Sequence, residues 1–346
     1  MTRARWHRVL LWLGLYCGVF VAASALGGLA YFHFGNPQQT CASCHEMTGV
    51  HSDWSASTHR TVHCRNCHGG ALTLDVHAVE SHLNRVVRHF TGDPHQPVHL
   101  KERHVPTLHA SCRQCHPQAF ADWEASRHAT TYARIFLDPE HNRTEPPTND
   151  CLRCHGMFTT GDIANLVIPP GGTVSARLTE PARASEPAIP CLACHQVHTR
   201  TGETQIANLY DRRERTHVAA NRLPVATVFQ DGRAVRVSRD LRQRVCVQCH
   251  APDATHALGS SDDRTPAGVH EGLSCRDCHW SHTNSARASC TACHPADSHC
   301  GLDVRKMDTT FLDPVSRHNV HTVACRDCHP AGLPKPAAVR GSFAVP

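Results

Sequence analysis

Nine copies of one pentapeptide, Cys-x-x-Cys-His, run through this chain of 346 residues. The copies begin at Cys41, Cys64, Cys112, Cys151, Cys191, Cys246, Cys275, Cys290 and Cys325. Their second thiols are Cys44, Cys67, Cys115, Cys154, Cys194, Cys249, Cys278, Cys293 and Cys328, and each motif closes on a histidine: His45, His68, His116, His155, His195, His250, His279, His294 and His329. Of the twenty cysteines only Cys17 and Cys300 stand outside the pattern. Two thiols at this spacing can add across the two vinyl groups of one porphyrin, and the adjacent imidazole then lies under the iron as its proximal ligand. This is the attachment signature of c-type haem. Zinc ribbons and redox disulfides also use Cys-x-x-Cys, but neither needs a histidine at the next position. A disulfide framework would scatter its cysteines rather than hold one spacing nine times. The expectation is nine covalently bound c-type haems.

The elements that must position these groups follow from the cofactor more than from any backbone pattern. Aromatic residues make up only 5% of the chain and charged residues 19%, so the porphyrins supply the aromatic mass of the interior. At roughly 38 residues per haem most of the chain must touch one. The expected fold is mostly α with much irregular loop, a multihaem cytochrome c organised by a haem stack. The formal charge of +5 is misleading. Each ferric haem with two ionised propionates adds about −1, so nine bring the oxidised protein to about −4 and the reduced one to about −13. The basic residues read as propionate partners, and no nucleic-acid partner is expected.

Residues 9 to 34 form an apolar run of 26, preceded by Arg3, Arg5 and Arg8. That is long enough to span a bilayer, and the positive flank stays inside, which sends the C-terminal bulk outward. Trp12 near its start and Tyr31, Phe32 and Phe34 at its end suit interfacial belts. Ala23-Ser24-Ala25 resembles a cleavage site, but the run continues past it. The expectation is therefore a single-pass anchor in the cytoplasmic (inner) membrane with the haem domain on the periplasmic side. The division read from the sequence is 1–40 for the stub and anchor, 41–130 for haems 1–3 and 131–346 for haems 4–9.

After the anchor come Cys41-Ala42-Ser43-Cys44-His45-Glu46-Met47, then Trp54-Ser55-Ala56-Ser57-Thr58-His59, then Cys64-Arg65-Asn66-Cys67-His68. This stretch resembles the NapC/NirT/NrfH family of membrane-anchored quinol dehydrogenases over residues 1 to about 130. The resemblance implies a first haem at the membrane, Met47 as its iron ligand beside a quinol site, and His59 as a distal ligand. Family members usually stop at four haems and carry a lysine after the second motif. Here there are nine motifs, and no lysine occurs between Cys64 and Leu100.

Trp123-Glu124-Ala125-Ser126-Arg127-His128 repeats the Trp-x-x-Ser-x-His element after the third motif. Two copies of one His-bearing element, each downstream of an attachment motif, point to service at the haems, so His128 joins His59 as a distal candidate. The other strong candidates are His198 and His282, each three residues after a motif histidine, and His270 and His321, just upstream of Cys275 and Cys325. His217, His256, His299 and His318 come next, and one ligand is expected among His99, His104 and His109.

Leu72, Val76, Val79, Leu83, Val86, Val87 and Phe90 form an apolar stripe at helical spacing, with His82, Arg85 and His89 on another face. That helix is expected to frame a quinol pocket, with Asp75 and Glu80 as proton acceptors. Residues 161 to 190 read as a Pro- and Gly-rich loop and a partner surface. A small hairpin is expected where Val225–Phe229 and Ala234–Val237 flank Gln230-Asp231-Gly232-Arg233. Together these readings describe a carrier of electrons from quinol to a downstream periplasmic redox protein or terminal reductase. As a catalyst it would be a quinol dehydrogenase. The competing readings are a multihaem nitrite- or hydroxylamine-type reductase and a fixed subunit of a larger membrane complex.

Overall fold

Positions i, i+3 and i+4 share one face only on an α-helical turn, and the attachment motifs fold accordingly. The computed structural model describes residues 3–69, 87, 89–91, 100, 102–156, 158–159, 161–171, 175–195, 197–198, 209–211, 216–218, 229–230, 233–243, 246, 249–250, 265–283, 321, 324, 326 and 331. Within them Cys64–His68, Cys191–Cys194 and Cys275–Cys278 are single helical turns, and Leu152–His155 covers most of the fourth motif. The third motif starts on the last residue of the Val105–Cys112 helix, and Cys41 lies in Pro37–Ala42. The amide of the motif histidine bonds back to the first cysteine's carbonyl: His116 to Cys112 at 2.9 Å, His195 to Cys191 at 2.9 Å and His279 to Cys275 at 2.8 Å. Around these turns the described chain is short helices, 3-10 turns and irregular loop, with three two-stranded antiparallel ladders. It is mostly helical, as its sequence leads one to expect.

The one long element is Arg3–Phe34, 32 residues or about 48 Å of helix. Its stretch Trp6–Gly28 has a mean hydropathy of 2.1, and its large side chains, among them Leu10, Trp12, Phe20 and Leu26, are exposed rather than packed on protein. A helix of this length and composition near the N-terminus is either a membrane anchor or a signal sequence. It ends at Gly35, whose amide bonds Tyr31 O at 2.8 Å. A Cβ at Gly35 would strike the Tyr31 carbonyl oxygen and the Thr40 methyl, so the chain can turn this tightly only with glycine. Asn36 then caps the next helix through Gln38 N at 3.0 Å, with Pro37 at its first turn. Arg65 of the second motif donates to Gly35 O at 2.9 Å and places a cation at the end of the long helix. Only two residues therefore separate that helix from the helix carrying Cys41.

The chain divides into two compact units. The first comprises Met1–Pro117, Phe158–Thr160 and Pro190–Ala207. In it Val105–Cys112 packs on Cys64–His68 and on Cys191–Cys194, while Pro37–Ala42 packs on Thr48–Ser55 and Cys64–His68. Thr159 donates to Glu102 at 2.8 Å and holds its short segment in this unit. The second comprises Gln118–Met157, Gly161–Ile189 and Asn208–Pro346. These units do not coincide with the division expected at residue 130. The chain leaves the first unit after Pro117 and returns to it twice, and the fifth motif goes with the first three.

The described part of residues 161–190 is pinned by a few buried side chains, with many exposed residues between them. Val167–Ile168 pairs with Arg177–Leu178, and Leu166, Val167 and Leu178 bury against Tyr132, Phe136 and Leu152. Leu152 is 0% exposed and sits inside the fourth motif, so this cluster holds that motif in place. Arg183 lies over the Tyr132 ring at 4.4 Å. At the expected hairpin Phe229–Gln230 pairs with Arg233–Ala234, and residues 225–228 and 231–232 lie outside the described residues. A second ladder, Leu209–Asp211 with Thr216–Val218, was not anticipated. Most of the expected helix at 72–90, with Asp75 and Glu80, lies outside the described residues. Of its stripe, Val87 and Phe90 are exposed.

Phe136 is 1% exposed at the centre of this cluster. Phe136→Ala should cost the second unit about 3–5 kcal/mol. Guanidinium unfolding of the holoprotein should show that loss, with the haem count by intact mass unchanged.

Candidate functional site

The two Trp-x-x-Ser-x-His elements fold alike, and the fold explains the spacing. Each tryptophan sits in the last turn of a helix, Thr48–Ser55 or Pro117–Glu124. The serine three residues on closes a further turn, with Ser57 N bonding Trp54 O at 3.0 Å and Ser126 N bonding Trp123 O at 2.9 Å. Each serine oxygen then accepts the backbone amide of the histidine, His59 N or His128 N, at 3.1 Å. A short side chain with an acceptor oxygen is what such a cap requires. Trp123 is fixed by a bond from Nε1 to Ile189 O at 3.1 Å. The histidine therefore leaves a rigid turn in a set direction.

Both histidines point at a motif histidine distant in sequence. The ring centres of His59 and His116 are 6.1 Å apart, and those of His128 and His250 are 6.0 Å apart. Two further pairs share this spacing: His68 with His198 at 6.0 Å, and His279 with His321 at 6.1 Å, the latter with rings only 8° from parallel. A metal–imidazole bond is about 2 Å long and the ring centre lies about 1.1 Å beyond the ligating nitrogen, so two imidazoles on opposite faces of one iron have centres about 6.2 Å apart. The four pairs fit an iron between them. In each, one member closes an attachment motif and the other comes from elsewhere in the chain.

An iron ligand must be a neutral imidazole. Burial lowers the pKa of His59, and the neighbouring His116 lowers it further. Burial does the same for His128, with help from His250 and His279, and burial alone lowers His279.

The first motif departs from this pattern. The ring that meets His45 is His89, at 5.3 Å and tilted by 46°. Glu46 lies between them, 2.9 Å from His89 Nδ1 and 3.5 Å from His45 Nε2. Cys44 Sγ, a Glu46 oxygen and a His89 nitrogen all fall within 4.8 Å of one another. Met47, half-buried, starts the Thr48–Ser55 helix. Nothing in the spacing of the sequence singled out His89 or Glu46 for this position.

Among the three histidines from which one ligand was expected, His109 has another task. It is buried, which holds its pKa down at about 4, and its Nδ1 accepts the Cys191 amide at 3.0 Å. The neutral ring then carries its proton on Nε2 and offers no lone pair there to a metal. His104 is buried, and His99 lies outside the described residues. His270, in the 3-10 turn Gly268–His270, and His282 are half-buried.

The thiols lie where the motif turns put them, and no disulfide joins the described cysteines. Sulfurs of different motifs lie close together: Cys41 and Cys64, Cys112 and Cys191, and Cys246 and Cys275. Cys154 Sγ reaches Cys249 O at 3.9 Å. Burial pushes the Cys194 thiol up to about 11. Cys290, Cys293, His294, Cys325, Cys328 and His329 lie outside the described residues, as do His256, His299, His318 and Cys300.

Two stretches match known families. Residues 227–295 match the cytochrome c3 family model, and residues 111–167 match the model for cytochrome c554 and c-prime. No curated protein and no solved structure matches the chain. The two matches support a multihaem c-type cytochrome with covalently bound haem c, a class suited to electron transfer. Neither is to the NapC/NirT/NrfH family, and both lie beyond the stretch from Cys41 to His68.

The position of His109 makes a prediction. His109→Phe should leave the Cys191 amide without its acceptor and cost about 1–3 kcal/mol of stability. It should create no high-spin iron. Guanidinium unfolding and low-temperature EPR of the oxidised protein check the two halves; a new high-spin ferric signal would make His109 a ligand.

Proposed function

We propose that this protein is a membrane-anchored nonahaem cytochrome that takes electrons from the quinol pool at its first motif and delivers them to an extracytoplasmic redox partner. The observation that carries the reading is the set of four histidine pairs at 6.0–6.1 Å. Haem c, once attached, supplies at each such pair an iron that changes charge by one electron. The two imidazoles of such a pair would hold the iron and exclude water and substrates from it, which favours electron transfer over the reduction of nitrite or hydroxylamine. Saturation by two rigidly held rings also limits rearrangement when the iron changes oxidation state.

The quinol end of the reading rests on the first motif. The two-residue break after the long apolar helix keeps Cys41 near the end of that helix. A quinol diffusing in the bilayer must meet its acceptor there. His45 lacks a partner ring at the iron-bridging spacing among the described residues, which leaves room for Met47 as the ligand that the NapC/NirT/NrfH resemblance implies. Glu46 and His89 then sit beside that iron. On this reading the anchor is retained, and the haem-bearing bulk lies on the periplasmic side.

Intact mass should exceed the apo chain by nine haems (~616 Da each), one per attachment motif. Seven or fewer in a stable product would end the nonahaem reading. Membranes holding the protein should reduce its haems when given a menaquinol analogue. Met47→Ala should slow that reduction at least tenfold and change the spectrum of one haem. If His89→Ala changes that spectrum and Met47→Ala does not, His89 is the ligand. If the inserted, fully loaded protein is reduced by soluble donors but by no quinol, it is a relay fed from elsewhere.

A further inference from the structure

We infer that the fifth attachment motif, not the fourth, completes the haem group of the first unit, so that the haems at Cys41, Cys64, Cys112 and Cys191 form one wired set. The inference rests on the haem-attachment reading above and goes beyond it by ordering the sites. Three contacts tie the fifth motif to the second and third. The Cys191 and Cys112 sulfurs lie close together. His109, one turn before Cys112, accepts the Cys191 amide at 3.0 Å. His198, three residues beyond the fifth motif, stands 6.0 Å from His68, the closing histidine of the second.

The fourth motif makes contacts of a different kind. Its Leu152 is buried in the apolar cluster of the second unit, and its Cys154 reaches Cys249 of the sixth motif. Segments 118–157 and 161–189 thus carry the fourth motif out of sequence order into the second unit. There the sixth and seventh motifs follow it, with the Cys246 and Cys275 sulfurs close together.

The sulfurs trace the order within each unit. A thioether sulfur sits on the edge of its porphyrin, so neighbouring sulfurs bring two macrocycle edges together. The Cys41 and Cys64 sulfurs lie close together, as do those of Cys112 and Cys191, and the Cys67 sulfur is within electrostatic reach of Cys112 and Cys115. An electron accepted at the first motif would therefore pass to the second and from there be shared with the third and fifth. The step is a one-electron exchange between neighbouring irons: the donor iron goes from ferrous to ferric and the acceptor from ferric to ferrous. No bond forms or breaks.

The test asks which iron His198 serves. His198→Ala in the full-length holoprotein should leave nine haems by intact mass and add one high-spin ferric signal in EPR. Adding Cys64→Ala and Cys67→Ala should drop the count to eight and abolish that signal, because its iron is gone. A high-spin signal that survives in the eight-haem protein places His198 on another iron and overturns the inference. Should the triple variant fail to fold, hydrogen exchange on His198→Ala alone decides. Protection lost at residues 64–68, with 151–155 unchanged, supports the wiring; loss at 151–155 with 64–68 unchanged overturns it. A parent protein without haem at the second motif would defeat the attachment reading itself, and the inference with it.

Discussion

Two imidazole rings can hold one iron between them only at a spacing of about 6 Å, and the described chain brings four pairs of rings to that spacing. The motif supplies one ring locally, because a single helical turn carries both thiols and the histidine on one side. The second ring has to come from elsewhere, and the chain is routed to bring it. His59 reaches the third motif, His198 the second, His128 the sixth and His321 the seventh. None of these rings serves the motif nearest to it in the sequence. Every such crossing joins two distant segments, and an iron between them would act as a cross-link closing a long loop. Closing longer loops restricts the unfolded chain more.

This accounts for the modest protein core. The cluster around Tyr132, Phe136 and Leu152 is small, and the helices that carry these three residues, Tyr132–Phe136 and Leu152–His155, run only five and four residues. Helices this short are marginal by themselves in water. They are held by capping side chains and by the motif turns. The two Ser caps, the Asp138 cap on Glu140 and His141, and the Ser274 cap on Arg276 are all local devices that order a turn without a large apolar face. Glu271 plays a similar part by accepting from Arg233 and the Arg236 amide, and those two bonds pull its pKa down to about 2.

What could be read from the sequence was what is local. The Cys-x-x-Cys-His turns, the apolar N-terminal helix, the Trp-x-x-Ser-x-His elements and the Asp231-Gly232 hairpin each depend on residues within a few positions of one another. Pairing was not legible, because nothing within His59 or His128 names its partner. The unit boundary was not legible for the same reason: the chain returns to the first unit at 158–160 and 190–207 without a change in composition. Residues 161–190 looked like an exposed loop because proline and glycine dominate them, yet three apolar side chains, Leu166, Val167 and Leu178, suffice to pin them to the cluster. His89 and Glu46 were hidden by the 43 positions between them.

If distant histidines share irons, they do so in a defined set of pairs. The most direct measurement is a cryo-EM structure of the haem-loaded protein in detergent or nanodisc, with each iron's axial ligands resolved. The expected result is one iron between each of His59 and His116, His68 and His198, His128 and His250, and His279 and His321, bonded to both rings. Irons bound by the motif histidines of these pairs but ligated on their far side by water, or by other residues, would contradict it.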